Sequence, residues 1–288
     1  MKKLAKIGLS LALIIGITAC GNNNKDDSKK AASNDTSNST QASEKQTIKI
    51  GVVGEFNDVL KEVAKRYEEK TGNKIEIVVF GDYNQPNEAL EAGDIDLNAY
   101  QHKKFLEGFN KDHGTDLVSI GNTMLAPLGI YSKQYKSLDE VKDGDKVVIP
   151  NDASNGARAL FLLQDAGLIK VNGKKGDPVT VTDISENPKK LEIIEVDASQ
   201  TARNLESAAL AVVNDTFALD SKIATEFPAL KFEESKPTDD NPYVNIIVAK
   251  KDRKDDKVLN DFVRNYYQTD ETKKDYEKFT GGAWIPAW

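Results

Sequence analysis

The stretch DLNAYQHKKFL, residues 96–106, places one of only two histidines of the 288-residue chain two positions after Tyr100. An imidazole can bind a metal, exchange protons near neutral pH or pack as a polar ring. A metal site needs three or four ligands at suitable spacing, and the pair of His102 and His113 has no such companions. We therefore expect no metal, and for His102 a binding role and a structural role at a helix start both stay open.

Arg158 is the second conspicuous residue, because it falls in the first turn of the helix predicted after VIPNDASNGA. A cation is unfavourable at that position, where the helix dipole already places partial positive charge. The arginine therefore requires an anion. A guanidinium can hold a ligand carboxylate through two parallel hydrogen bonds. The alternative is a local salt bridge to Asp152 or Asp165.

Other polar side chains stand where predicted strands end. Tyr83 follows KIEIVVF, Tyr100 and His102 follow DIDLNAY, and Asn214 ends ALAVVN. In parallel α/β lobes the strand ends and the following helix N-termini line one crevice, so these side chains are candidates for a shared ligand site. A structural role in packing remains the alternative for each tyrosine.

The chain shows no motif of the common enzyme classes. It contains no G-x-S-x-G elbow, no P-loop, no G-x-G-x-x-G and no H-E-x-x-H. Carboxylate pairs are abundant, but position singles out none of them. We therefore expect no catalytic residue and no cofactor, and interpret the chain as a binding protein rather than an enzyme.

Alternating strands and helices form the scaffold that must position these residues. TIKIGVV, a helical pattern ending at Gly72, and KIEIVVF predict a βαβ unit and a mainly parallel sheet. Polar breaks at 132–145 and 233–242 suggest a chain that leaves one lobe and returns, with a ligand cleft between the lobes. The fold class is α/β with two lobes joined by two crossover strands; lobe I comprises 47–130 plus 246–288, and lobe II comprises 131–245.

The amino terminus has the layout of an export signal. Residues 1–19 combine lysines, an apolar run too short to span a bilayer and small residues before Cys20. ITAC resembles a bacterial lipobox, which predicts a lipid-modified Cys20 and a flexible, polar tether over residues 20–46. Loss of the three signal lysines moves the formal charge from −7 to −10, which argues against nucleic acid as a partner.

Seven ordered blocks stand out along the body of the chain: GDYNQPNEAL, LNAYQHKKFL, IGNTMLAPLGIYS, KSLDEVKDGDKVVIPNDASNGARALFLLQDAGLI, AALAVVND, NPYVNIIVAKK and GGAWIPAW. Together they resemble the methionine-binding lipoproteins of ABC importers, the NlpA lipoprotein family. The resemblance implies a type II periplasmic-binding-protein-like fold that captures methionine and delivers it to a permease driven by an ATPase, with the chain anchored to the extracytoplasmic side of the cell membrane. We expect it to act as a monomer.

The resemblance also implies a role for each candidate residue. Tyr83, Tyr100 and His102 match the rings around the ligand side chain, and a thioether packs well against ring edges. Arg158 matches the residue that holds the ligand carboxylate. Asn214 and Asn245 match the asparagines that hold its amino and carboxylate groups.

The chain departs from the common family pattern at Tyr100, where many members carry phenylalanine. A buried phenol needs a hydrogen-bond partner, so the pocket could be more polar than that of a pure methionine binder. A methionine-containing dipeptide such as glycyl-methionine is therefore an alternative ligand. A surface adhesin that uses the same fold without transport is a further alternative.

Overall fold

The computed structural model of the chain describes residues 45–288. The predicted signal peptide, Cys20 and the tether as far as residue 44 lie outside the described residues. The strands are β1 (Thr47–Val53), β2 (Lys74–Phe80), β3 (Leu97–Asn98), β4 (Val118–Leu125), β5 (Leu128–Tyr131), β6 (Lys146–Pro150), β7 (Lys170–Val171), β8 (Ile184–Glu186), β9 (Glu192–Val196), β10 (Leu210–Asn214), β11 (Lys231–Phe232), β12 (Val244–Ala249) and β13 (Ile285–Pro286).

The α-helices are α1 (Asp58–Thr71), α2 (Gln85–Ala92), α3 (Lys103–His113), α4 (Ala153–Asp165), α5 (Asp215–Asp220), α6 (Ile223–Glu226), α7 (Lys257–Asp261) and α8 (Asp270–Thr280). Short 3₁₀ turns occupy Leu138–Glu140, Val181–Asp183, Ala198–Gln200, Arg203–Glu206 and Lys251–Arg253. A π-helical turn, Phe262–Tyr267, directly continues α7.

Six strands form the first sheet in the order β13-β4-β12-β3-β1-β2. β1 runs parallel to β2 and β3, which confirms the predicted βαβ unit. The apolar face of α1 buries Val63 and Tyr67 against Ile50 in the core on one side of this sheet. The helix ends at Gly72, whose φ of 73° is the left-handed conformation that glycine adopts without steric cost.

Five strands form the second sheet in the order β11-β5-β10-β6-β9. β6 is parallel to β9 and β10, whereas β5 is antiparallel to β10 and β11. α4 packs Leu160 and Leu163 against Ile149 and Val212 in the core of this lobe. Both sheets are therefore mixed, and the prediction of a mainly parallel sheet is wrong. The chain enters β5 and β12 directly from the opposite lobe, with no crossover helix before either strand. Both strands are antiparallel to their neighbours.

The chain passes between the two sheets twice. It leaves the first sheet at Ala126–Pro127 and returns through residues 233–243. The polar break at 233–242 thus coincides with a crossing, but the break at 132–145 connects β5 to β6 within the second sheet. All of β5 belongs to the second sheet and all of β12 to the first. The chain therefore changes sheets shortly before residues 130 and 245, the positions predicted as lobe boundaries.

Candidate functional site

His102 caps the amino terminus of α3. Its Nδ1 accepts a hydrogen bond from the backbone N–H of Phe105 at 3.0 Å. Burial, together with the nearby charge of Arg158, lowers the pKa of His102 to about 3, so the ring is neutral. Because Nδ1 accepts, the proton lies on Nε2, which is 3.3 Å from Oδ1 of Asn155. His102 is therefore a fixed neutral donor.

The other histidine, His113, ends α3 on the exposed surface and stacks on Phe109 with ring centroids 4.1 Å apart. A helix rises about 1.5 Å per residue, which separates His102 from His113 by about 16 Å. Within residues 45–288 no three His, Cys, Asp or Glu side chains are grouped closely enough to hold a metal ion.

Aromatic rings form one wall beside His102. The rings of Tyr83 and Tyr100 stack with centroids 5.9 Å apart, and Phe217 from the second lobe lies 5.2 Å from Tyr83. Phe105 packs edge-on against both tyrosines. The Tyr100 hydroxyl donates to the backbone carbonyl of Tyr83 at 2.6 Å, so its hydrogen-bonding need is met inside the protein. Burial raises the pKa of both phenols, which keeps them protonated.

Arg158 is buried, and its guanidinium has several partners. Nε donates to Oε1 of Glu233 at 3.1 Å, and Nη2 pairs with Oε2 of the same carboxylate. Nη2 also donates to the carbonyl of Ala126 at 3.3 Å, and Nη1 to Oδ1 of Asn155 at 3.0 Å. The Tyr243 ring lies 4.7 Å from the guanidinium carbon. Of the five N–H groups, one on Nη1 is left for a further acceptor.

Arg158 is the sixth residue of α4, so its predicted position in the first turn of the helix is wrong. Its anionic partner is Glu233, and both local alternatives are also wrong. Asp152 instead caps α4 by accepting from the backbone N–H of Asn155 at 2.9 Å. Asp165 pairs with Lys175 at 2.6 Å. Glu233 lies in the returning crossover, 75 residues from Arg158 in sequence, and no local spacing indicates the pair.

Asn155 connects the two lobes at the site, a role that the sequence analysis missed. Its Oδ1 receives Nη1 of Arg158 at 3.0 Å, Nδ2 of Asn214 at 3.1 Å and Nε2 of His102 at 3.3 Å. Its own Nδ2 donates to Asp152. An amide oxygen has two lone pairs, so three donors converge on an acceptor with room for two.

The two predicted asparagines lie close to this group. Asn214 ends β10, and its Oδ1 is buried without a hydrogen-bond partner among the described residues. Asn245 lies in β12 and forms an isolated antiparallel bridge with His102. An asparagine inside a strand is disfavoured, and its position at the site gives it access to a polar partner.

All six predicted residues line one cavity between the lobes. Tyr83, Tyr100, His102 and Asn245 come from the side of the first sheet, whereas Arg158 and Asn214 come from the second. The residues that sequence reasoning missed in the lining are Gln101, Phe105, Ala126, Asn155, Asp215 and Thr216. Phe105 had a detectable signal, since it follows His102 by three residues on the same helix. The mixture of rings and polar groups is typical of a small-molecule site.

Known proteins with the same architecture cover most of the chain. A family model described as NlpA lipoprotein matches residues 48–288. The D-methionine-binding lipoprotein MetQ of Escherichia coli O157:H7 is 44% identical over 244 residues, which cover 84% of this chain and 88% of that protein.

Two solved structures agree with this match. A crystal structure of the methionine-binding protein MetQ superposes with a TM-score of 0.79 at 42% identity, covering 84% of this chain and 98% of that one. A nutrient-binding protein from Burkholderia cenocepacia, solved bound to methionine, gives a TM-score of 0.77 at 38% identity, covering 84% of this chain and 100% of that one. The extent of the family match and the level of identity lead to one conclusion: this chain belongs to the NlpA lipoprotein family.

Proposed function

We propose that the chain is the extracytoplasmic substrate-binding lipoprotein of an ABC importer and that it captures methionine in the cavity between its lobes. One observation carries this proposal: hydrogen-bond donors from both lobes converge beside a wall of aromatic rings in a single cavity between the lobes. The relatives named for methionine binding share this fold at 38–44% identity. A binding protein of this kind needs no catalytic group.

The donors suit the carboxylate of an amino acid. Arg158, Asn214 and His102 all direct an N–H at Oδ1 of Asn155, a neutral oxygen with too few lone pairs for them. A carboxylate offers two oxygens and about four acceptor sites together with a negative charge. Asn245 borders the same space. We assign the ligand carboxylate to these donors.

The rings suit the methionine side chain. A thioether sulfur against the edge of an aromatic ring contributes about 0.3–1.5 kcal/mol, and Tyr83 and Tyr100 present such a surface. The Tyr100 hydroxyl is already bonded to the chain, so it does not require a polar ligand atom. This favours free methionine over a dipeptide such as glycyl-methionine, which remains the alternative ligand.

Opening and closing of the lobes would admit and release the ligand. The two crossings, Ala126–Pro127 and residues 233–243, are the covalent links between the sheets, and we assign the hinge to them. Closure removes a zwitterion from water, which is unfavourable unless protein groups replace its hydration. Arg158 and the asparagine amides would replace it.

Membrane attachment would come from a lipid on Cys20 after removal of residues 1–19, with residues 20–46 as the tether. The relatives are named as lipoproteins, which supports this arrangement. Among the helices of residues 45–288, none combines the length and the apolar character needed to cross a bilayer. The chain would act as a monomer that delivers its ligand to a permease and its ATPase.

The function is tested by titrating methionine into Arg158 variants in a calorimeter. Arg158→Lys keeps a positive charge near Glu233 but lacks the N–H that faces the cavity, so we expect affinity to fall by about 10-fold or more. Arg158→Ala should abolish measurable binding. Arg264→Ala, which removes the same charge from an exposed position, is the matched control and should bind as the wild type does. Near-native affinity in both Arg158 variants would refute the assignment.

A further inference from the structure

Asp215 is a buried carboxylate that has no cationic partner among residues 45–288. It is the first residue of α5, is 4% exposed and lines the cavity described above. Its Oδ2 accepts a hydrogen bond from the indole Nε1 of Trp284, near the carboxyl terminus of the chain. Burial raises the pKa of Asp215 to about 6, although the hydrogen bond from Trp284 acts in the opposite direction. No cation among the described residues lowers this pKa. A buried carboxylate is unfavourable unless a charge or several hydrogen bonds compensate it.

The arginine of the site does not compensate Asp215. Glu233 accepts from Nε and Nη2 along one edge of the Arg158 guanidinium, and the other contacts go to Ala126 and Asn155. His102 is neutral. The cavity therefore combines one neutralised arginine with one carboxylate whose charge is uncompensated within residues 45–288.

Asn214, next to Asp215 in sequence, contributes a second free acceptor. Its Oδ1 is buried and has no hydrogen-bond partner in the described part of the chain. Within the same residues, Oδ1 of Asp215 also receives no hydrogen bond, since the indole is the donor to Oδ2. Both residues line the cavity, and each has an oxygen that receives no hydrogen bond from residues 45–288. An ammonium group has three N–H donors and a positive charge, and it fits this pair.

We propose that Asp215 is a specificity-determining residue of the site, which accepts the ammonium group of the ligand together with Oδ1 of Asn214. The site then requires a free amine, as in an α-amino acid or a peptide with a free amino terminus, and rejects thioether acids that lack one. This inference rests on the proposed function. The alternative is that Asp215 serves only to hold Trp284 and so acts on every ligand alike.

The test compares two ligands in one protein by calorimetry, methionine and its deaminated analogue 4-(methylthio)butanoate. We expect the wild type to prefer methionine. Asp215→Asn keeps an oxygen for Trp284 but loses the charge, so affinity for methionine should fall by about 10- to 100-fold while that for the analogue stays level or rises. Asp215→Glu, which restores the charge, should recover part of the preference for methionine.

Trp284→Phe is the control, because it removes the indole donor and leaves the carboxylate in place. It should change the affinities for both ligands by the same factor. If Asp215→Asn also weakens both ligands equally, Asp215 acts only through Trp284 and the inference is overturned while the proposed function stands. If the wild type binds neither ligand, the proposed function and the inference are overturned together.

Discussion

Glu233 neutralises Arg158 from the segment that returns the chain to the first sheet. The side chains of the pair are 3% and 13% exposed, so both charges are largely withdrawn from water. Their mutual attraction offsets the desolvation only while both partners are present. Burial alone would lower the pKa of Arg158, but the carboxylate outweighs it and the pKa is raised. Glu233 therefore fixes the guanidinium and leaves its Nη1 edge to the cavity.

Replacing Glu233 should destabilise the fold. Glu233→Gln leaves a buried guanidinium without its counter-charge, and loss of one partner of a buried pair costs about 3–5 kcal/mol. We expect the free energy of unfolding, measured with urea, to fall by an amount of this order. Glu234→Gln, at the exposed neighbouring position, should change it by less than about 0.5 kcal/mol. Equal urea midpoints for the two variants would contradict a structural role for the pair.

Residue types, strand ends and the family resemblance selected six of the residues that line the cavity, but not their partners. An anion was expected beside Arg158 because the residue was placed in the first turn of its helix; it is the sixth residue of α4, and its anion is Glu233. The identity of Glu233 could not be predicted, because the pair forms only when the returning crossover packs against α4. Asn155 was also missed, because two of the three donors that reach its Oδ1 come from elsewhere in the fold, Asn214 at the end of β10 and His102 at the start of α3.

Among the elements, α5 makes the most direct contact between the lobes. This six-residue helix has a carboxylate at each end, Asp215 and Asp220. Asp220 accepts the backbone N–H groups of Glu55 and Phe56 in the first lobe, at 2.9 and 2.7 Å. The approach is close, because a Cβ at Gly54 would lie 2.1 Å from the Asp220 carboxylate. The contact can form only when the lobes are together.

Asp220→Asn should weaken closure without altering the cavity. The amide group of asparagine would turn a donor towards one of the two backbone N–H groups, which costs at least one charge-assisted hydrogen bond. We expect bound methionine to dissociate about 10-fold faster, measured by stopped-flow displacement. Asp255→Asn serves as the control, because the Asp255 side chain is 88% exposed. An unchanged dissociation rate in Asp220→Asn would show that this contact does not hold the lobes together.

Long periodic elements were predictable and short ones were not. β1, α1 and β2 each run for seven or more residues with a clear apolar pattern, and the structure confirms them. β3, β7, β11 and β13 have two residues each, too few to show any period. Their strand geometry comes from tertiary pairing, as when Ile285 and Pro286 pair with β4.

At the scale of the molecule, two sheets joined by two crossings produce a cavity that neither lobe could form alone. The prediction of a two-lobe α/β fold is confirmed, as is membership of the NlpA lipoprotein family. The polar segment at 233–242 lies at one of the crossings, whereas the polar segment at 132–145 lies within the second sheet. The strand directions were predicted less well, because alternation of elements does not reveal which strands enter a sheet from the other lobe.

The most direct test of the account is a calorimetric titration of the wild-type chain after any bound molecule has been removed by unfolding, dialysis and refolding. We predict saturable binding of one methionine per chain, and weaker binding of glycyl-methionine. Absence of saturable heat with both ligands would contradict the claim that the cavity between the lobes receives a methionine zwitterion. That result would instead favour the adhesin alternative.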